Sequence, residues 1–176
     1  TRLQGGPMDY TPGILEGDMN KIDPNKHHHI NSTLARQLAL YGTMYSPLQM
    51  AADAIENYEG QPALTFIESC PTTWSKTVVP NGEIGQYITV CRKERDGNRW
   101  FIGSITNAES RAIDVKLDFL DKGAVYRAVI YEDGADADYE SNPYPMQIRQ
   151  IEVKADDTLH LKLARSGGAA IRIEKM

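Results

Sequence analysis

The stretch at residues 87–103, YITVCRKERDGNRWFIG, reads as two strands joined by a tight turn. Tyr87-Ile88-Thr89-Val90 and Trp100-Phe101-Ile102-Gly103 are rich in β-branched and aromatic residues, and Arg95-Asp96-Gly97-Asn98 between them carries the Asp-Gly pair that hairpin turns favour. The same pattern continues downstream. Residues 113–117, 125–131, 147–153, 158–163 and 169–174 each read as a short strand, several of them alternating apolar and polar, and Asp133-Gly134 and Gly167-Gly168 break the runs. About seven or eight such strands at this spacing predict an antiparallel all-β sandwich over residues 73–176.

Upstream of Trp74 the chain changes class. Residues 1–26 hold Gly5, Gly6, Pro7, Pro12, Gly13, Gly17 and Pro24, which predicts a long ordered loop. Asn31 or Ser32 then caps a predicted amphipathic helix with Leu34, Leu38, Tyr41 and Tyr45 on one face. Ser46-Pro47-Leu48-Gln49 has the form of a capping box and predicts a second helix running to about Ala54. A third helix is expected over residues 62–69, with Leu64 and Ile67 facing inward. Residues 1–72 are too few for a closed α/β barrel, so their helices either pack on the sandwich or belong to a barrel whose earlier strands lie outside this chain. The second arrangement is the expectation, making 1–72 the incomplete C-terminal end of a (β/α)8 barrel.

Composition excludes several classes of function. The 176 residues carry a formal charge of -5 and 41% apolar residues, with no block of Lys and Arg, which argues against nucleic acid as a partner. No apolar run approaches the roughly 20 residues that a spanning helix needs, so no membrane partner is expected. Residues 1–10, TRLQGGPMDY, lack the order of a signal peptide, and the start without Met implies a polypeptide that continues upstream. Cys70 and Cys91 are too few for a disulfide framework and are expected to be small buried hydrophobes.

Three segments carry a resemblance. Gly6-Pro7-Met8-Asp9-Tyr10-Thr11-Pro12-Gly13, then Leu34-Ala35-Arg36-Gln37-Leu38-Ala39-Leu40-Tyr41 leading into Tyr45-Ser46-Pro47-Leu48-Gln49-Met50-Ala51-Ala52-Asp53, resemble the C-terminal section of glycoside hydrolase family 97. Trp100-Phe101-Ile102-Gly103-Ser104-Ile105-Thr106-Asn107 resembles a strand pair of that family's C-terminal β domain. The resemblance implies an exo-acting α-glycosidase, an α-glucosidase or α-galactosidase acting on α-linked oligosaccharide, with α-glucosidase the expectation. It also implies a catalytic barrel, calcium as a cofactor of the parent enzyme, and a periplasmic or secreted location in a bacterium. The family's catalytic acid and calcium-binding glutamates are expected upstream of Thr1. This chain is therefore expected to complete the barrel, supply the accessory β domain, bind no calcium alone and be inactive alone. Its other expected partners are the upstream part of the same polypeptide and a second copy through the β domain. The alternative is a non-catalytic carbohydrate-binding or oligomerisation module.

Candidate sites follow from chemistry. Asp9 and Tyr10 stand in a loop of the kind that builds barrel active sites, where a carboxylate accepts from sugar hydroxyls and a tyrosine offers an apolar face and a hydroxyl. They are the expected substrate-binding residues, against a simpler role for Asp9 in a turn before Pro12. His27, His28 and His29 are expected to be polar loop residues, since adjacent side chains rarely converge on one metal ion. Asp136, Asp138 and Glu140 alternate like the start of a calcium loop, but Ser141 and Gln147 replace its glycine and closing glutamate, so a solvated turn is expected. Trp74 and Trp100 are expected to pack in a core or domain interface, not to stack on sugar.

Overall fold

The computed structural model describes residues 9–21, 23–25 and 27–176. Expectations for Gly5, Gly6, Pro7 and Lys26 lie outside these residues. Eight strands follow three helices: α1 (Leu34–Thr43), α2 (Ile55–Tyr58) and α3 (Ala63–Ser69), then β1 (Trp74–Glu83), β2 (Tyr87–Glu94), β3 (Trp100–Thr106), β4 (Arg111–Lys116), β5 (Tyr126–Asp133), β6 (Met146–Val153), β7 (Thr158–Leu163) and β8 (Gly168–Lys175). A six-stranded sheet of order β1-β2-β3-β8-β5-β6 faces a two-stranded sheet β4-β7, and every pairing is antiparallel. The predicted sandwich is present, divided six and two.

Period-2 alternation decides which residues enter each layer. On one face of the large sheet, Ile102, Ile130, Ile171 and Ile173 meet Val115 and Leu161 of the small sheet in an apolar core. Trp100 belongs to it, 4% exposed, with its ring centroid 4.6 Å from that of Phe119. On the other face Phe101, Tyr131 and Ala170 meet Leu38, Ala39 and Phe66 in a second core. Trp74 packs against that second core, 5.8 Å from Phe101 between ring centroids. Cys91 is buried, Cys70 is partly buried and neither is in a disulfide. Burial pushes both thiols up to about 12, so neither is poised as a nucleophile.

Helix α1 lies directly on the sheet because three glycines remove the side-chain layer between them. A Cβ at Gly103 would sit 2.3 Å from the Ala39 carbonyl oxygen, one at Gly42 2.9 Å from the Gly103 nitrogen, and one at Gly168 2.7 Å from the Arg36 Cα. Both helix ends are tied to the β domain. At the N-terminus Thr33 accepts from Arg36 N–H, while the Thr33 and Leu34 amides donate to the Ser166 and Pro143 carbonyls. At the C-terminus the buried Arg92 of β2 donates from Nε to Gly42 O at 2.8 Å and from Nη2 to Thr43 O at 3.4 Å. A cation suits the carbonyl end of a helix, and these bonds compensate a guanidinium taken out of water.

The structure corrects several local expectations. The cap of α1 is Thr33, not Asn31 or Ser32, and the helix ends before Tyr45, which is exposed beneath the Arg92 guanidinium. No helix forms over residues 46–54. The Ser46 hydroxyl is used in a local turn with Leu48, and Gln49 Nε2 turns back to donate to Tyr41 O and Met44 O at the end of α1. The segment is instead extended, and Gln49 forms a parallel bridge with Tyr10. β1 forms despite Pro80 and Gly82, because a register shift between Val78 and Asn81 accommodates them at a sheet edge. The third predicted helix is present as α3, with Leu64 and Ile67 partly buried and Phe66 fully so.

Because the atom a Cβ at Gly103 would strike belongs to a helix backbone, the contact relaxes only by lifting α1. Gly103→Ala is expected to destabilise the chain by about 1–3 kcal/mol. Urea unfolding of variant and parent measures it, and an unchanged midpoint would mean that the helix does not rest on the sheet.

Candidate functional site

Asp9 is exposed and Tyr10 half-buried at the start of the described chain. From Tyr10 the backbone runs parallel to residues 48–52: Tyr10 N–H donates to Leu48 O at 3.2 Å, Met50 N–H to Tyr10 O at 3.0 Å and Ala52 N–H to Pro12 O at 3.0 Å. Helix α1 lies between these two extended segments in sequence, the kind of crossover that parallel pairing requires. It is the one parallel pairing among the described residues. Burial pushes the Tyr10 hydroxyl above its ordinary range, opposed by the nearby Arg36 charge.

The loop that follows is held at almost every residue. Gly13 takes φ +86, and a Cβ there would meet the Tyr41 hydroxyl at 2.5 Å. Gln37 Oε1 accepts from the Gly13 and Ile14 amides at 3.2 and 3.3 Å. The Tyr41 hydroxyl lies 3.2 Å from both Pro12 O and Met50 O, bridging the parallel segments. The Tyr58 hydroxyl donates to Gly13 O at 2.7 Å and accepts from Asp53 N–H. Asp53 completes the clamp. Its Oδ2 accepts from Leu15 N–H and Glu16 N–H, each at 2.7 Å, and its Oδ1 from Ala54 N–H and Asn57 Nδ2.

The electrostatics match anchoring, not proton transfer. Burial alone would raise the Asp53 carboxyl, but the hydrogen bonds it accepts outweigh burial and hold it below the ordinary carboxylate range. Glu16 behaves alike, burial being outweighed by Lys21 at 2.5 Å and by the Tyr144 hydroxyl, whose own pKa rises to about 12 through burial and this same contact. A general acid needs the opposite shift. Among the described carboxyls with a resolved shift, Asp133 alone is pushed up, by burial, and it lies enclosed where its Oδ2 accepts from the Ala164 and Gly168 amides.

The other sequence candidates are placed as follows. His27, His28 and His29 are exposed, with His27 Nδ1 3.0 Å from Asn20 Oδ1 and His29 beside the Tyr139 ring. Asp138 Oδ1 accepts from the Glu140 and Ser141 amides, and Arg165 bridges Asp138 and Glu140 at 3.1 Å each, a tied surface turn. Among the described residues no three His, Cys, Asp or Glu side chains converge to hold a metal. Sequence reasoning singled out Asp9 and Tyr10 but missed Gln37, Asp53 and Tyr58 as the clamp, and took Tyr41 only as a core residue. Their bonds to residues 12–16 reach across 23 to 45 residues, beyond any local pattern.

The fold defines a β-sandwich module preceded by a helix-and-loop segment carrying one parallel β-bridge. The family described as "Glycosyl-hydrolase 97 C-terminal, oligomerisation" matches residues 73–174, and the chain belongs to it. A retaining alpha-galactosidase from Bacteroides thetaiotaomicron is 36% identical over 98% of this chain. A glycoside hydrolase family 97 enzyme from Pseudoalteromonas sp. strain K8, solved in complex with acarbose, is 44% identical and superimposes with a TM-score of 0.90 over 97% of the chain. A beta-arabinopyranosidase shares the fold, with a TM-score of 0.76 at 21% identity over 95% of the chain and 25% of its own. The chain spans 26% of the first relative and 27% of the second, about a quarter of their length.

The clamp yields a test of position and sign. Asp53→Ala is expected to speed hydrogen exchange of the Leu15 and Glu16 amides by about tenfold or more, leaving β3 and β8 protected. Because the folded pKa of Asp53 lies below its ordinary 3.8, its stabilisation is present above that value and fades as pH falls through the depressed one. The stability difference between parent and variant should therefore shrink below about pH 3.8. A difference that is constant down to lower pH would show that the carboxylate charge is not what holds the loop.

Proposed function

We propose that this chain is the C-terminal part of an exo-acting α-glycosidase, an α-glucosidase, in which residues 1–72 complete a (β/α)8 barrel and residues 73–176 form an accessory, self-associating β domain. The observation that carries the reading is the parallel pair at Tyr10 and Gln49 with its apolar surroundings. Four of the nine large apolar side chains exposed among the described residues, Tyr45, Leu48, Met50 and Ile55, fall within residues 45–55. Leu48 and Met50 alternate with Gln49, which faces α1, so they share the opposite side of the extended segment. Neighbouring barrel strands supplied by the upstream polypeptide would cover such a surface.

Asp9 and Tyr10 face the substrate on this reading, just ahead of the clamped loop and with Tyr10 bonded through its backbone to Leu48 and Met50, without acting as acid or base. On this reading the catalytic carboxylates and the calcium ligands belong to the upstream part, as the family resemblance implies. The glycosidase reading is supported by both family 97 relatives. The glucosidic preference is supported by the 44% identical enzyme bound to acarbose, a variant of which was solved with panose, a trisaccharide of α-linked glucose. The 36% identical relative is the galactosidase. Export to the periplasm or medium is the location the family resemblance favours, and the self-associating role is supported by the family description.

The test uses the intact parent enzyme on nitrophenyl α-glucoside and α-galactoside. A higher kcat/KM on the glucoside is expected, and the reverse preference would make it a galactosidase. Asp9→Ala should lower kcat/KM by about 10- to 150-fold, as loss of one charge-assisted hydrogen bond to a sugar hydroxyl predicts. Unchanged kinetics in a folded variant would return Asp9 to a turn role. The 176-residue chain alone should not turn over either substrate above background.

A further inference from the structure

The contacts of the β domain leave the tip of the β1–β2 hairpin unexplained. Gln86 N–H donates to Glu83 O at 2.9 Å, closing a turn over Ile84-Gly85 with Gly85 at φ +79. Ile84 is fully exposed and Val79 half exposed. Neither adds to a core of this chain, and an apolar β-branched residue is an uncommon choice for a solvated turn. Beside the tip, a groove of about 680 Å³ is lined by Val79, Ile84, Ile88 and Ile105, with Arg36 and Glu83 also on its walls. Arg36 donates to Ser166 Oγ at 3.0 Å, and Glu83 accepts from Gln86 Nε2. Among the described residues neither has an ion-pair partner.

An apolar knob, a partly apolar groove, the Glu83 carboxylate and the Arg36 guanidinium, which also feels the Asp133 charge, therefore lie on one surface. A surface that carries a protrusion together with its own complement satisfies a two-fold axis, under which each copy gives what the other receives. Extension of the sheet at β1 is disfavoured, since Pro80 and the register shift between Val78 and Asn81 interrupt that edge. The tip and the groove beside that edge stay open. We propose that the β1–β2 hairpin is a self-association surface, on which two copies exchange Ile84 into each other's groove and set Glu83 against Arg36 of the other copy. The inference rests on the reading of the β domain as a self-associating module and names the surface that does it.

Sedimentation equilibrium of the 176-residue chain, and of the intact parent in parallel, tests it with Ile84→Asp, Glu83→Lys and Ile148→Asp. Ile148 is exposed on β6, the opposite edge of the sheet, and serves as the control. Ile84→Asp should weaken self-association by at least about tenfold, Glu83→Lys by less, and Ile148→Asp not at all. Melting temperatures measured at concentrations where every variant is monomeric should stay unchanged, since the tip makes no core contact. Undiminished association of Ile84→Asp, or equal loss in Ile148→Asp, would overturn the assigned surface and leave the self-association reading intact. A wild type that stays monomeric at every concentration would overturn both, without touching the glycosidase reading. If Ile84→Asp instead lowers the melting temperature of the parent with its oligomeric state unchanged, the groove holds the upstream domain and the proposal fails.

Discussion

Helix α1 and the sheet meet backbone to backbone, and the rest of the molecule depends on that distance. Gly42, Gly103 and Gly168 stand where any Cβ would strike backbone atoms. Only at this separation does Arg92 reach the Gly42 and Thr43 carbonyls from the sheet. Only then are the amides at the helix start met by Ser166 O and Pro143 O. The helix in turn carries Gln37 and Tyr41, so the placement of residues 12–14 is inherited from the packing of three glycines.

A common electrostatic solution recurs around this contact. Arg92 and Asp53 are satisfied mainly by backbone groups, carbonyls for the cation and amides for the anion, and Asp133 meets two amides in the same way through Oδ2. Such pairing suits partly buried charges, because each fixed dipole replaces lost water and at the same time holds a loop in one conformation. It also explains why these ionisable groups are structural. A carboxylate that accepts from four donors, as Asp53 does, is stabilised in its charged form and has little tendency to give or take a proton near neutrality.

The finished and unfinished surfaces divide the chain in the same way. Between the two sheets the apolar core is closed, with Ile102, Ile130, Ile171 and Ile173 excluded from solvent. Around residues 45–55 and at the hairpin tip, large apolar side chains stay in water. On the proposed reading, these are the faces that further chain or a further copy would cover.

The sequence by itself determined the all-β half, its hairpin at Asp96-Gly97, the helices α1 and α3, the burial of Trp100 and the family resemblance. Each rests on a signal that is local: alternation, helical spacing, turn chemistry or an ordered run of residues. Of the candidate site, the sequence singled out Asp9 and Tyr10, through that resemblance and the loop composition. The tertiary structure decided what was not local. Residues 46–54 carried a capping box worth roughly a kcal/mol, yet parallel bonding to Tyr10 and the recruitment of Gln49 to the end of α1 made them extended. β1 formed through Pro80 because an edge strand tolerates a bulge. The clamp of Gln37, Tyr41, Asp53 and Tyr58 depended on residues distant in sequence becoming neighbours, which only the packing of α1 on the sheet brings about. Local pattern sets which elements are available, and the free energy of long-range contacts, larger than any single local preference, selects among them.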